Sequence, residues 1–304
     1  MSQSRSLKPG TSNIAICPCQ SINVHDSFPV IESVVEEIGD WDFPDGDIAR
    51  NLAIKVLPST RPYFFIQYRD SMRSSRKYRD ADNPHGAYRN VITRVETGVS
   101  TIRPTGPLGV VFARLKPEAV AILLGERLHC FADAKIDLAG VFEPRKISLL
   151  EEVVSEASTS FERIAAVAHF LSVHACRREP DPVVSQAAAC LRRNPSLRVR
   201  RLAAKLDVSE RHLLRRFQAV FGVSPKNFAR CARLEKVLAA RRDGSDWADI
   251  AYGCGFADQA HMISDFNAVL GVPPERALLP ASLEQYSEVS KPDDGSISHD
   301  YFVW

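Results

Sequence analysis

The chain has 304 residues, 45% hydrophobic and 25% charged, with a formal net charge of +2. These are ordinary values for a soluble protein of two domains. No apolar run reaches the roughly 20 residues of a membrane span, and the opening MSQSRSLKPG lacks the apolar centre of a signal peptide, so a cytoplasmic location is expected. The seven cysteines are odd in number and scattered, which argues against a disulfide framework.

Residues 1–24 are polar and unpatterned and are expected to be unstructured. Cys17 and Cys19 form the one close cysteine pair but have no second pair or flanking histidine, so no metal site is expected there. Residues 25–39 contain FPVIESVVEEIG, which fits either a strand or a helix. Residues 49–69 are rich in Val, Ile, Phe and Tyr and read as two strands parted by a turn between Pro58 and Pro62. The basic polar stretch 69–86 reads as an exposed loop or hairpin tip. Residues 88–99 and 101–115 again read as strands, punctuated by Pro104-Thr105-Gly106-Pro107. Short strands between turn signals predict a small barrel or half-barrel.

At Pro117 the pattern turns helical and ends at Gly125. Residues 147–178 carry apolar residues at helical spacing, including Leu149, Leu150, Val153, Phe161, Ile164 and Leu171. Such helices suit packing on the strands, bridging to a second domain or forming a dimer face. Glu179-Pro180-Asp181-Pro182 is the expected domain boundary, because its prolines break a helix and favour an extended link. An α+β domain over 25–178 would thus precede an all-α domain over 183–280, with 281–304 an unstructured tail. Tyr63, Phe64, Phe65 and Tyr68 are candidates for the wall of an apolar cavity, although aromatics in strands are more often simple core.

The second domain carries the informative stretch, VRRLAAKLDVSERHLLRRFQAV at 199–220. Leu202, Ala203 and Leu206 give a short helix one apolar stripe, Asp207 and Val208 make a turn, and Ser209 is a good N-cap for the next helix. Leu213, Phe217 and Phe221 then turn inward, leaving Arg211, Leu214, Arg215 and Gln218 outward. This is a helix-turn-helix pattern, and outward arginines one turn apart suit guanine edges or phosphate oxygens in a major groove. Charge agrees: between residues 190 and 244 fifteen Lys or Arg face four acids, a net +11, so the rest of the chain carries −9. A field concentrated in this way attracts the phosphate backbone.

Two further segments extend the pattern. FGVSPKNFARCARLEKVLAARR at 221–242 reads as a turn and a long helix, and DWADIAYGCGFADQAHMISDFNAVLGVPP at 246–274 as a second helix-turn-helix. FQAVFGVSP at 217–225 is echoed by FNAVLGVPP at 266–274. On these elements the last third of the chain resembles the AraC/XylS family of transcription regulators, whose two helix-turn-helix motifs are joined by a linking helix. GPLGVVFARLKPEAVAILLG at 106–125 more weakly resembles part of the cupin-like domain that precedes this pair in some members. The implied architecture is an α+β cupin-like half-barrel with helices, followed by an all-α DNA-binding domain.

The resemblance implies a sequence-specific regulator of double-stranded DNA, an activator, with RNA polymerase, a small-molecule effector and a second copy of the chain as expected partners. The DNA-contacting residues are expected to be Ser209, Arg211, His212, Leu214, Arg215 and Arg216 in the first motif and Gln259, His261 and Ser264 in the second. Arg230, Arg233 and Lys236 of the linking helix are expected to face phosphate. The second motif departs from the family in charge. No Lys or Arg lies between residues 245 and 275, and Ser264 stands where many relatives carry arginine. Asp258 is expected to cap its second helix rather than touch DNA.

No catalytic site or cofactor is expected. The eight histidines form no pair spaced for a metal, and there is no nucleophile elbow or phosphate-cradling loop. The alternative is a nucleic-acid-modifying or DNA-repair protein carrying the same DNA-binding domain. Its signature would be a reactive cysteine, for which Cys231 is the one candidate by position.

Overall fold

The computed structural model describes residues 19–23, 28–76, 87–125, 135–175, 180–270 and 299–303. Its N-terminal part is built on two sheets. The first contains β1 (Cys19–Asn23), β2 (Val35–Phe43), β4 (Tyr63–Gln67), β7 (Val91–Thr93), β9 (Leu108–Leu115) and β10 (Lys135–Asp137), in the order β1-β2-β9-β4-β7-β10. The second contains β3 (Leu52–Val56), β5 (Met72–Arg76), β6 (Ala87–Tyr88), β8 (Ser100–Pro104) and β11 (His299–Val303), in the order β11-β3-β8-β5-β6. A 3-10 turn at Pro29–Ile31 precedes β2, so the open choice over 25–39 resolves as a turn followed by a strand.

Side-chain alternation explains why the first sheet is buried on both faces. On β9, Leu108, Val110 and Phe112 join the core between the sheets, while Val111, Ala113 and Leu115 join a core beneath helices. On β4 the split falls the same way, with Tyr63 and Phe65 between the sheets and Phe64 and Ile66 under the helices. The short helices α1 (Gly46–Arg50) and α2 (Ala119–Leu124) flank the strands. The helical pair expected over 147–178 is present as α3 (Pro144–Glu156) and α4 (Ser160–His174). Thr159 and Glu162 separate them with a reciprocal capping box, which satisfies the opening N–H groups of α4. A buried ion pair secures α4 to the sheet: Arg163 Nε donates to Asp40 at 2.9 Å, and Asp40 also accepts from the Tyr68 and Ser160 hydroxyls at 2.7 Å each.

Both chain ends correct the expectation of unstructured termini. β1 pairs antiparallel with β2, and β11 pairs in parallel with β3 across Leu52 to Val56. Each occupies a sheet edge, where unpaired backbone N–H and C=O groups are a template for another strand. The remainder of the expected tail, 271–298, lies outside the described residues, as do 1–18 and with them Cys17.

The C-terminal part is helical: α5 (Pro182–Arg193), α6 (Val199–Lys205), α7 (Glu210–Phe221), α8 (Pro225–Arg242), α9 (Trp247–Gly253) and α10 (Gln259–Leu270). Pro182 opens α5, and Asp181 caps it by accepting from the Val183 and Val184 N–H groups. Two small cores form on either side of α8. One gathers Leu202, Leu213, Phe217, Phe221 and Phe228, the other Leu234, Leu238, Ile250, Met262 and Phe266.

Candidate nucleic-acid interface

The first helix-turn-helix is α6, a turn and α7. Asp207 takes a left-handed conformation with φ 53°, and the Val208 N–H bonds back to the Ala203 carbonyl. Ser209 follows as N-cap, its hydroxyl accepting from the His212 N–H at 3.2 Å. With Leu213, Phe217 and Phe221 buried, Arg211, Leu214, Arg215 and Gln218 are left exposed along one side of α7. Arg198, Arg200, Arg201, Lys205 and Lys226 of the neighbouring segments are exposed as well. The result is a basic, open helix face, as the outward pattern predicts.

Three expected site residues also hold the motif together. Ser209 is engaged as the cap. Arg216 turns to the start of α5, donating from Nε to Asp181 at 2.6 Å with a second bond from its Nη2 to the same carboxylate. His212 Nε2 lies 3.2 Å from Arg216 Nη1. A nearby carboxylate captures a half-buried guanidinium, so Arg216 braces α7 against α5.

The second motif is α9, a turn and α10. Asp258 caps α10 as expected, accepting from the His261 N–H at 2.7 Å. His261 is also engaged locally, its Nδ1 facing the Ala257 N–H at 3.4 Å and its ring edge-on to Phe256. Gln259, Ser264 and Asn267 are exposed. Asn267 is absent from the expected set, though its place one turn after Ser264 marks it as a neighbour on the same face.

The linking-helix cations, expected to face phosphate, are engaged by groups of the protein itself. Arg230 bonds to Asp265 of α10 at 3.1 Å, and Arg233 reaches the same carboxylate at 3.8 Å while stacking over Phe256. Lys236 donates to the Arg193 carbonyl. Asp265, on the inner flank of α10, thus ties the two helices together and quenches part of the basic charge.

Other candidates resolve as structure. Among Tyr63, Phe64, Phe65 and Tyr68, Phe65 lines a cavity between the sheets. Phe64 packs under the helices, Tyr63 is core, and the Tyr68 hydroxyl is committed to Asp40. The cavity is small, about 30 Å³ or room for a water or two, opens partly to solvent and is mostly apolar. Among the described residues no group of three or more His, Cys, Asp or Glu is placed to hold a metal ion, and no helix is long and apolar enough to cross a membrane. Cys231 is buried, and desolvation pushes its thiol up to about 12.

This arrangement of helices matches a known one. The helix-turn-helix domain family matches residues 202–278. A Streptomyces lividans protein described as a putative AraC-like transcription regulator is 36% identical over 97 residues, which is 31% of this chain. Residues 202–278 are an AraC-type helix-turn-helix domain. The chain matches about a third (32%) of the length of that curated relative. The structure of ToxT from Vibrio cholerae aligns over 86% of this chain and 97% of its own, at 12% identity and a TM-score of 0.44. The C-terminal domain of AraT, a response regulator from Geobacillus stearothermophilus, aligns with 32% of this chain and 83% of its own, at 23% identity and a TM-score of 0.30.

Proposed function

We propose that the chain is a sequence-specific DNA-binding transcription regulator acting as an activator in the cytoplasm. The observation that carries this reading is the exposed basic side of α7, with Arg211 and Arg215 one turn apart and no acid among the exposed residues between them. Arginine forks match guanine O6 and N7 in the major groove, and the surrounding cations supply contacts to phosphate. Residues 183–280 serve as the DNA-binding domain and 25–178 as the sensing and dimerising one. The apolar cavity between the sheets takes a small-molecule effector. A second copy of the chain covers the exposed apolar side chains of α3 and α4, where Leu149 is 59% and Val173 64% exposed. RNA polymerase is the partner through which DNA-bound protein activates.

The alternative, a nucleic-acid-modifying protein with a reactive cysteine, finds no support at Cys231, whose burial favours the inert neutral thiol. Binding of the full chain to duplex DNA at several salt concentrations tests the proposal. Affinity should fall steeply and linearly on logarithmic axes, and Arg211→Ala should cost on the order of 1–3 kcal/mol on a preferred site. Absence of duplex binding at low salt would refute it.

A further inference from the structure

Residues 93–100 belong to the sheet region, yet they are built into two other parts of the molecule at once. Thr93, Glu96 and Ser100 line the cavity between the sheets, together with Phe65 and Ile102. Within the segment the Ser100 hydroxyl donates to the Glu96 carboxylate at 2.8 Å, so these two wall residues are bonded to each other.

The other side of the segment enters the first helix-turn-helix. Arg94 Nη2 donates to the Ala219 carbonyl at 3.1 Å and lies 3.5 Å from the Gln218 and Val220 carbonyls, in the last turn of α7. The Gln218 carbonyl also accepts from the Gly222 N–H at 2.9 Å, whereas carbonyls closer to a helix end lack an intrahelical donor, and the helix dipole favours a cation there. Gly222 admits the guanidinium. Its φ is 74°, and a Cβ on it would stand 2.7 Å from Arg94 Cζ. The neighbouring Val95 is 3% exposed and clusters with Leu213, Phe217 and Phe221. The Glu96 carbonyl accepts from the Ser59 N–H at 3.1 Å and the Cys231 thiol of α8 at 3.5 Å.

A second tie fixes α8 from the same side. The Glu235 carboxylate accepts from the Ser59 hydroxyl at 2.6 Å, the Thr60 N–H at 2.7 Å and Arg61 Nη1 at 3.0 Å. The linking helix is therefore held while Arg94 and Val95 grip the end of the helix before it.

We propose that residues 93–100 are a coupling element, one side forming the cavity wall and the other setting the C-terminal end of α7, so that filling the cavity changes how α7 is held. This deepens the reading of α7 as the DNA-contacting helix, and rests on it only for its consequence at the operator. Packed interiors transmit displacement instead of absorbing it, and one short segment spans the whole distance.

Hydrogen exchange of the full chain without DNA tests the coupling, read at the amides of residues 218–224. Arg94→Ala should speed exchange there on the order of tenfold, by removing a charge-assisted cap. Ile102→Phe, which fills the cavity from β8, should also change exchange at 218–224, and that change should vanish in the Arg94→Ala background. Should Ile102→Phe unfold the sheets, Met72→Phe, on another cavity residue, is read in its place. The proposal is overturned if cavity filling leaves 218–224 unaltered, or alters it equally with and without Arg94. Loss of duplex binding would instead refute the regulator reading and leave this result standing.

Discussion

Aligned on the repeat that pairs Phe217 with Phe266, the two helix-turn-helix motifs keep some positions in function and change others. Ser209 and Asp258 occupy equivalent places and both cap the following helix, on the N–H groups of His212 and His261. Phe217 and Phe266 are both fully buried. Arg216 and Asp265 are equivalent and opposite in charge, yet each braces its helix by an ion pair, to Asp181 in one case and to Arg230 and Arg233 in the other. Along the exposed side, Arg211, Arg215 and Gln218 become Ala260, Ser264 and Asn267. The framework positions hold their task through chemical change, whereas the exposed positions lose their cations. On the proposed function, the first motif supplies the strong DNA contacts and the second is carried beside it, adding at most amide and hydroxyl contacts.

Substitutions rank the parts of this comparison. The largest effect should come from the shared framework, where Phe217→Ala and Phe266→Ala each cost about 3–5 kcal/mol of stability in denaturant unfolding. A negligible cost for Phe266→Ala alone would mean that the second core is not built like the first. Next come the exposed faces: Arg211→Ala and Arg215→Ala should each weaken specific binding by roughly 1–3 kcal/mol. Gln259→Ala and Ser264→Ala should cost less than either, and a reversed order in the same titration would reverse the assignment of roles. Asp265→Asn should be milder still. Freeing Arg230 and Arg233 should strengthen binding to all sequences alike and steepen the salt slope by about one unit for each additional phosphate that the released arginines neutralise.

A pH effect marks the core of the linking helix. The Cys231 thiol is raised from 9.0 to about 12 in the folded chain, so the folded state holds its proton longer than the unfolded state does. The stabilisation is complete below pH 9 and is lost as the pH climbs toward 12. Cys231→Ala should flatten that part of the stability profile, and an unchanged profile would show that the thiol does not contribute.

The first motif is legible in the sequence because its signals are local. The Ser209 cap, the stripe through Leu213, Phe217 and Phe221 and the prolines at the domain boundary each act within a few residues. The sheet strands are legible for the same reason, through alternation and turn residues. What escapes depends on partners distant in the chain. Arg216 reads as one more outward arginine until Asp181, 35 residues earlier, captures it. Arg230 and Arg233 read as phosphate ligands until Asp265 folds against them. The pairing of His299–Val303 with β3 carries no local mark, since a parallel edge strand takes its register from a neighbour far back in the chain. Arg94 lies 125 residues from the carbonyl it caps.

The measurement that tests the central claim most directly is selected-site sequencing of the full chain on random duplex DNA, repeated with Arg211→Ala and Arg215→Ala. The account predicts one dominant box containing guanines whose preference relaxes in these variants, flanked by at most a weak second box. Two boxes of equal strength, or a dominant box unmoved by either substitution, would contradict it.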